Sequence, residues 1–194
     1  MNDLETIEMT LGDEESWGID AISFVERPAI KENFIALSAE EVQLKAVDED
    51  KRIVMGVALV PNKKIYRNNR GFEYNIEFSE DTVLKASQKY LKNLKLHNAT
   101  EEHQKGLVDG VFLTESWIVE DSQKDKSAVY GLNAPVGSWV VAMKVENDDV
   151  WSKVKDGKYL GFSIEGMFKG ERRELSAVQK IEDLVNEYLK NKYE

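Results

Sequence analysis

Residues 161–166 read Gly161-Phe162-Ser163-Ile164-Glu165-Gly166, a strand-like hexapeptide with a serine inside it and a glycine at each end. With a period of two, Leu160, Phe162, Ile164 and Phe168 fall on one face, and Tyr159, Gly161, Ser163 and Glu165 on the other. The apolar face is expected to anchor in a core, which leaves Ser163 on the open face. Gly161 has no side chain, so another backbone has room to approach beside the hydroxyl. That placement suits a nucleophile on a rigid strand. It also describes an ordinary surface serine on a half-buried strand, and the hexapeptide alone does not separate the two.

The rest of the chain bounds the choice. Its 194 residues suffice for one domain over 1–194 with a substantial core. A net charge of −10 argues against sequence-independent binding to nucleic acid and permits docking to a basic partner. Cysteine is absent, which excludes disulfides and thiolate metal sites. No apolar run approaches the roughly 20 residues of a membrane span. Residues 1–17 are acidic and do not read as a secretory signal.

Upstream of the hexapeptide, short strands dominate. Gly18 to Val25 is β-rich and ends at Glu26-Arg27-Pro28-Ala29, because proline cannot donate to a ladder. Asn33 to Leu37 is a short strand candidate, and residues 38–51 read as a charged linker or short helix. Arg52 to Val60 is apolar on both faces, so it is expected to be covered on both. Ile65-Tyr66-Arg67 and Phe72 to Phe78 flank the turn signal Asn68-Asn69-Arg70-Gly71, a hairpin. Ser79 is a suitable N-cap for a helix to about Asn93, with Val83, Leu84, Ser87, Tyr90, Leu91 and Leu94 as its stripe.

Val111 to Val119 and Gly137 to Val145 read as strands, with a charged loop from Glu120 to Lys126 between them. A short helix follows, capped by Asn147 and stopped at Gly157. Beyond the serine strand, residues 172–193 read as an amphipathic helix. The expected fold class is α+β: a mostly antiparallel β-barrel core with about three helices outside.

Candidate chemistry is narrow. Histidine is the side chain best suited to take a serine proton near neutral pH, and only His97 and His103 are present. Their spacing does not fit HExxH, and no glycine-rich phosphate loop occurs, so neither metal nor cofactor is expected. The four tryptophans are expected in the core or at its rim.

Several blocks taken in order carry a resemblance. They are Gly110 to Asp121, Asp125-Lys126-Ser127, Gly137 to Val145, the GFSIEG hexapeptide and the N-terminal Ile22 to Ala29. Together, over roughly residues 18–168, the chain resembles the XkdF-like phage serine proteases. These are similar to prohead maturation proteases and, more distantly, to the herpesvirus capsid protease.

The resemblance implies a herpesvirus-protease-like β-barrel and a serine endopeptidase. It implies cleavage of scaffold and major capsid protein extensions during head assembly, in the host cytoplasm inside assembling proheads. Carried over by position, Ser163 is the nucleophile and His103, upstream of the Glu115-Ser116-Trp117 block, is the base, with His97 the rival. The acid is Asp20 if the N-terminal strand fills the place of one that follows the serine in related proteases. The position matching their glutamate is closer to Ala21, so Asp20 needs a bulge to point inward. Glu115 is the rival acid, and a Ser-His dyad is the remaining alternative. Gly170-Glu171-Arg172-Arg173 is similar to the paired arginines of the herpesvirus site, or else is a basic cap on the final helix. A homodimer through that helix is also implied. The competing function is a non-catalytic capsid-assembly or scaffold-binding module on the same fold.

Overall fold

In the computed structural model, residues 4–27, 35–36 and 51–172 are described. The final amphipathic helix, Pro28-Ala29 and most of the 38–51 linker lie outside them. The strands are β1 (Thr6–Thr10), β2 (Gly18–Val25), β3 (Ile35–Ala36), β4 (Ile53–Leu59), β5 (Ile65–Asn69) and β6 (Phe72–Phe78). Helix α1 (Glu80–Lys92) precedes β7 (Ala99–Glu101) and β8 (Val111–Ile118). Then come α2 (Lys126–Val129), β9 (Trp139–Val145), α3 (Asp148–Lys155), β10 (Gly161–Met167) and β11 (Lys169–Arg172).

The α+β class is correct, but the expected barrel does not form. Among the described residues the strands make three open sheets, ordered β11-β1-β6-β5, β10-β2-β7 and β3-β4-β9-β8. Two pairings, β1 with β6 and β2 with β7, are parallel. Parallel neighbours need crossovers rather than hairpins, so the chain does not wind as the meander that closes an antiparallel barrel. The architecture is not herpesvirus-protease-like.

In the β3-β4-β9-β8 sheet, strands β4 and β9 are buried almost throughout. Val54, Ala58, Trp139, Val141 and Met143 face one apolar cluster, and Met55, Val57, Val140 and Ala142 face another. This is why Arg52 to Val60 reads apolar throughout. A register shift between Val57 and Leu59 turns Leu59 toward the first cluster, out of phase with Met55 and Val57. Trp139 is fully buried, and its indole N–H donates to Ser116 Oγ at 2.8 Å.

Local chemistry sets the element ends. Ser79 accepts from the Thr82 amide at the start of α1, and Asn147 accepts from Val150 at the start of α3. At the β5–β6 hairpin, Arg70 and Gly71 both take positive φ, and Asn68 Oδ1 accepts the Gly71 amide. Along α1 the buried residues are Thr82, Val83, Ala86, Ser87 and Tyr90, while Leu84, Leu91 and Leu94 stay exposed. The stripe is therefore narrower than the leucines suggest. Of Gly170-Glu171-Arg172-Arg173, read either as a paired-arginine site or as a basic helix cap, residues 170–172 belong to a strand antiparallel to β1, and Arg173 lies outside the described residues.

The β10-β2-β7 sheet carries the serine strand. Phe162, Phe24, Ile22 and Ala99 fill its core face, with Phe24 and Phe162 packed edge to face at 5.1 Å. Tyr159 is buried and Leu160 exposed, the reverse of the expected alternation, because the strand begins only at Gly161. At the other end, a Cβ on Gly166 would collide with the Gly18 carbonyl oxygen and stand 2.8 Å from Ile19 Cα. Both contacts are backbone and cannot swing aside. Gly166→Ala is therefore expected to destabilise the fold by about 2–3 kcal/mol, read as a lower urea midpoint with an unchanged slope.

Candidate functional site

Strand register brings the relevant residues together. Ser163 on β10 lies directly opposite Ser23 on β2, and Ser23 pairs with Thr100 on β7. Directly opposed residues share a face, so Ser163, Ser23 and Thr100 stand in a row across the sheet. Glu165, two residues after Ser163, lies on that same face opposite Ala21.

His103 folds back over this row. β7 ends at Glu101, and the chain reverses through Glu102 and His103, with φ of 48° and 55°. The Gln104 amide donates to Glu101 O at 2.9 Å, closing a turn of the type in which both central residues are left-handed. Neither is glycine or asparagine, so the turn costs on the order of 1 kcal/mol or more per residue and must be held by its surroundings. Three contacts hold it. The His103 amide donates to Ser23 Oγ at 3.0 Å, the Glu102 amide to Phe24 O at 2.9 Å, and the Glu26 amide to the Glu102 carboxylate at 2.5 Å. Ser23 is wholly buried, so its hydroxyl is a fixed post for the turn.

The His103 ring meets Glu165. Nδ1 stands 3.3 Å from Glu165 Oε1, and the Thr100 hydroxyl donates to the same oxygen. The ring is 45% exposed and the carboxylate 29%, so the pair is open to solvent on one side.

Other candidates sit elsewhere. The His97 ring lies against Phe112 at 5.6 Å, at the start of β8. Glu115 is on β8, in a different sheet, where Lys126 Nζ binds both its oxygens. The bulge that Asp20 needs is present. Glu165 opposes Ala21 and Gly166 opposes Ile19, so Asp20 is the extra residue. Its carboxylate nevertheless turns to Lys95 at 2.6 Å and is 55% exposed. The carboxylate at His103 belongs to Glu165, which the sequence reading placed beside Ser163 without giving it a role. Its position two residues from the serine on the same face was the available signal.

Behind the turn, Glu101 anchors β7 to α3. Lys153 Nζ and the Tyr159 hydroxyl both donate to Glu101 Oε1 at 2.6 Å. Burial alone would raise the Glu101 carboxyl, but these two donors outweigh it and the net effect is a lowered pKa. Burial and the bond to Glu101 push the Tyr159 phenol up to about 12. Strand β10 also walls an apolar cleft of about 450 Å³, lined in part by Phe162, Ser163, Ile164, Phe168, Ile65 and Phe78.

A family model described as "Putative phage serine protease XkdF" matches residues 41–172. No curated protein and no solved structure matches the chain.

The Glu101 anchor has a pH signature. A carboxyl held below its unfolded value of 4.5 adds stability that is present above that pH and lost as pH falls through the folded value. Glu101→Gln is therefore expected to flatten the loss of thermal stability below about pH 4.5, measured by melting temperature against pH.

Proposed function

The chain belongs to the XkdF family of putative phage serine proteases, and we propose that it is a prohead maturation endopeptidase with Ser163 as nucleophile and His103 as base. Its substrates are extensions of the scaffold and major capsid proteins, cut in the host cytoplasm inside assembling proheads. The observation that carries this reading is the tether of the His103 turn to the serine's immediate neighbours. The backbone is bound to Ser23, opposite Ser163, and the ring stands at Glu165, two residues along from it. A serine hydroxyl is a weak nucleophile unless such a base is at hand.

In this mechanism Ser163 Oγ attacks the peptide carbonyl carbon while His103 Nε2 takes the hydroxyl proton. The C–N bond breaks as that proton passes to the leaving amine. Water then hydrolyses the acyl ester by the same steps in reverse. The competing reading, a non-catalytic module that docks a basic scaffold, is favoured only by the net charge of −10.

Co-expression with the scaffold and capsid protein distinguishes them. Ser163→Ala is expected to abolish cleavage, a loss of about 10⁴-fold or more, and His103→Ala to match it. His97→Ala is expected to stay within about threefold of the native chain. Cleavage that survives Ser163→Ala unchanged leaves the assembly role in place.

A further inference from the structure

We infer that Glu165 is the positioning acid for His103, holding the imidazole with Nδ1 toward its carboxylate and Nε2 free to face Ser163. This inference rests on the protease reading above and assigns one more residue to the same site.

The argument is geometric. Residues two apart on a strand project side chains on one face about 7 Å apart. An imidazole hydrogen-bonded at both nitrogens spans such a gap, so a ring standing at Glu165 is set to reach the hydroxyl of Ser163. The ring nitrogen found 3.3 Å from Glu165 Oε1 is Nδ1, the one next to the side-chain stem, which leaves Nε2 at the far end. A carboxylate at Nδ1 selects the tautomer whose other nitrogen can accept the serine proton, and it stabilises the imidazolium formed on transfer. Thr100 holds the carboxylate by donating its hydroxyl to the same oxygen, and Thr100 is itself buried. Ser23 fixes the backbone of the histidine from the other side. Both elements that carry the pair are paired to β2, so their separation is set by sheet register rather than by loop length.

Asp20 and Glu115 do not compete for this role, since each is engaged by a lysine. The acid thus comes from the serine's own strand. In this arrangement the two groups that the histidine bridges move together.

The test uses the full chain and a fluorophosphonate probe, which reacts with an activated serine whatever the natural substrate. Glu165→Gln keeps the shape of the side chain and an acceptor for Thr100. It is expected to slow labelling of Ser163 by about 10²–10⁴-fold, and Glu165→Asp to recover at least a tenth of the native rate. Nitrogen-15 spectra of the native chain above pH 8, assigned with His97→Gln, are expected to show His103 as the Nδ1–H tautomer. Glu165→Gln is expected to move that ratio. Labelling within about threefold of native in Glu165→Gln, or an Nε2–H tautomer in the native chain, overturns the role of Glu165 and leaves the protease reading standing. A native chain that the probe does not label at all overturns the protease reading, and this role with it.

Discussion

Strand β2 has to satisfy hydrogen bonds on both edges at once, and the site depends on that requirement. One edge takes β10 in antiparallel register, and the other takes β7 in parallel. Because β2 lies between them, a residue on β10 and a residue just past β7 are held at a separation fixed by strand spacing, about 10 Å across two ladders. The inward residues Ile22 and Phe24 weld the strand to Phe162 and Ala99 beneath. The outward residue Ser23 is buried as well, and its hydroxyl receives the amide of His103. One strand thus supplies the packing below and the polar anchor above.

That anchoring explains how a strained reversal persists. Two successive non-glycine residues with positive φ would relax if the turn were free. Here the energy comes from neighbours: a buried hydroxyl, a backbone carbonyl of β2, and a carboxylate of the turn that reaches back to Glu26. On the opposite side, the Glu101–Lys153–Tyr159 cluster ties the end of β7 to α3. The histidine ring is consequently the tip of a well-fixed turn, partly open to solvent and backed by a carboxylate.

What could be read from the residues in order divides along a physical line. Features decided within a few residues were legible: the caps at Ser79 and Asn147, the hairpin at Arg70-Gly71, and the two-sided burial of Arg52 to Val60. Features decided by register between distant strands were not. One bulge, in β4, shifts the phase of Leu59, and a second, in β2, leaves Asp20 looking at Lys95. The parallel pairings that keep the sheets open have no local signature. In the site, the expectation that Ser163 works with a histidine before the Glu115-Ser116-Trp117 block came from resemblance. The place of Glu165 was visible as same-face spacing, but its contact with His103 depends on where β7 docks. The family match begins at residue 41, whereas the strand that joins both halves of the site is residues 18–25.

The crowding at Gly166 carries a consequence for the chain's history. This glycine, with no room for a methyl group, lies where β10 crosses the start of β2, so the last strand of its sheet must slide in against the first. A ribosome releases those two segments at widely separated moments. Between those moments β2 waits with one ladder unfilled, and the row of polar side chains over it has no serine strand beside it. Whatever chemistry Ser163 supports is therefore withheld until residues 161–167 have followed residues 18–25 off the ribosome, a delay written into strand order.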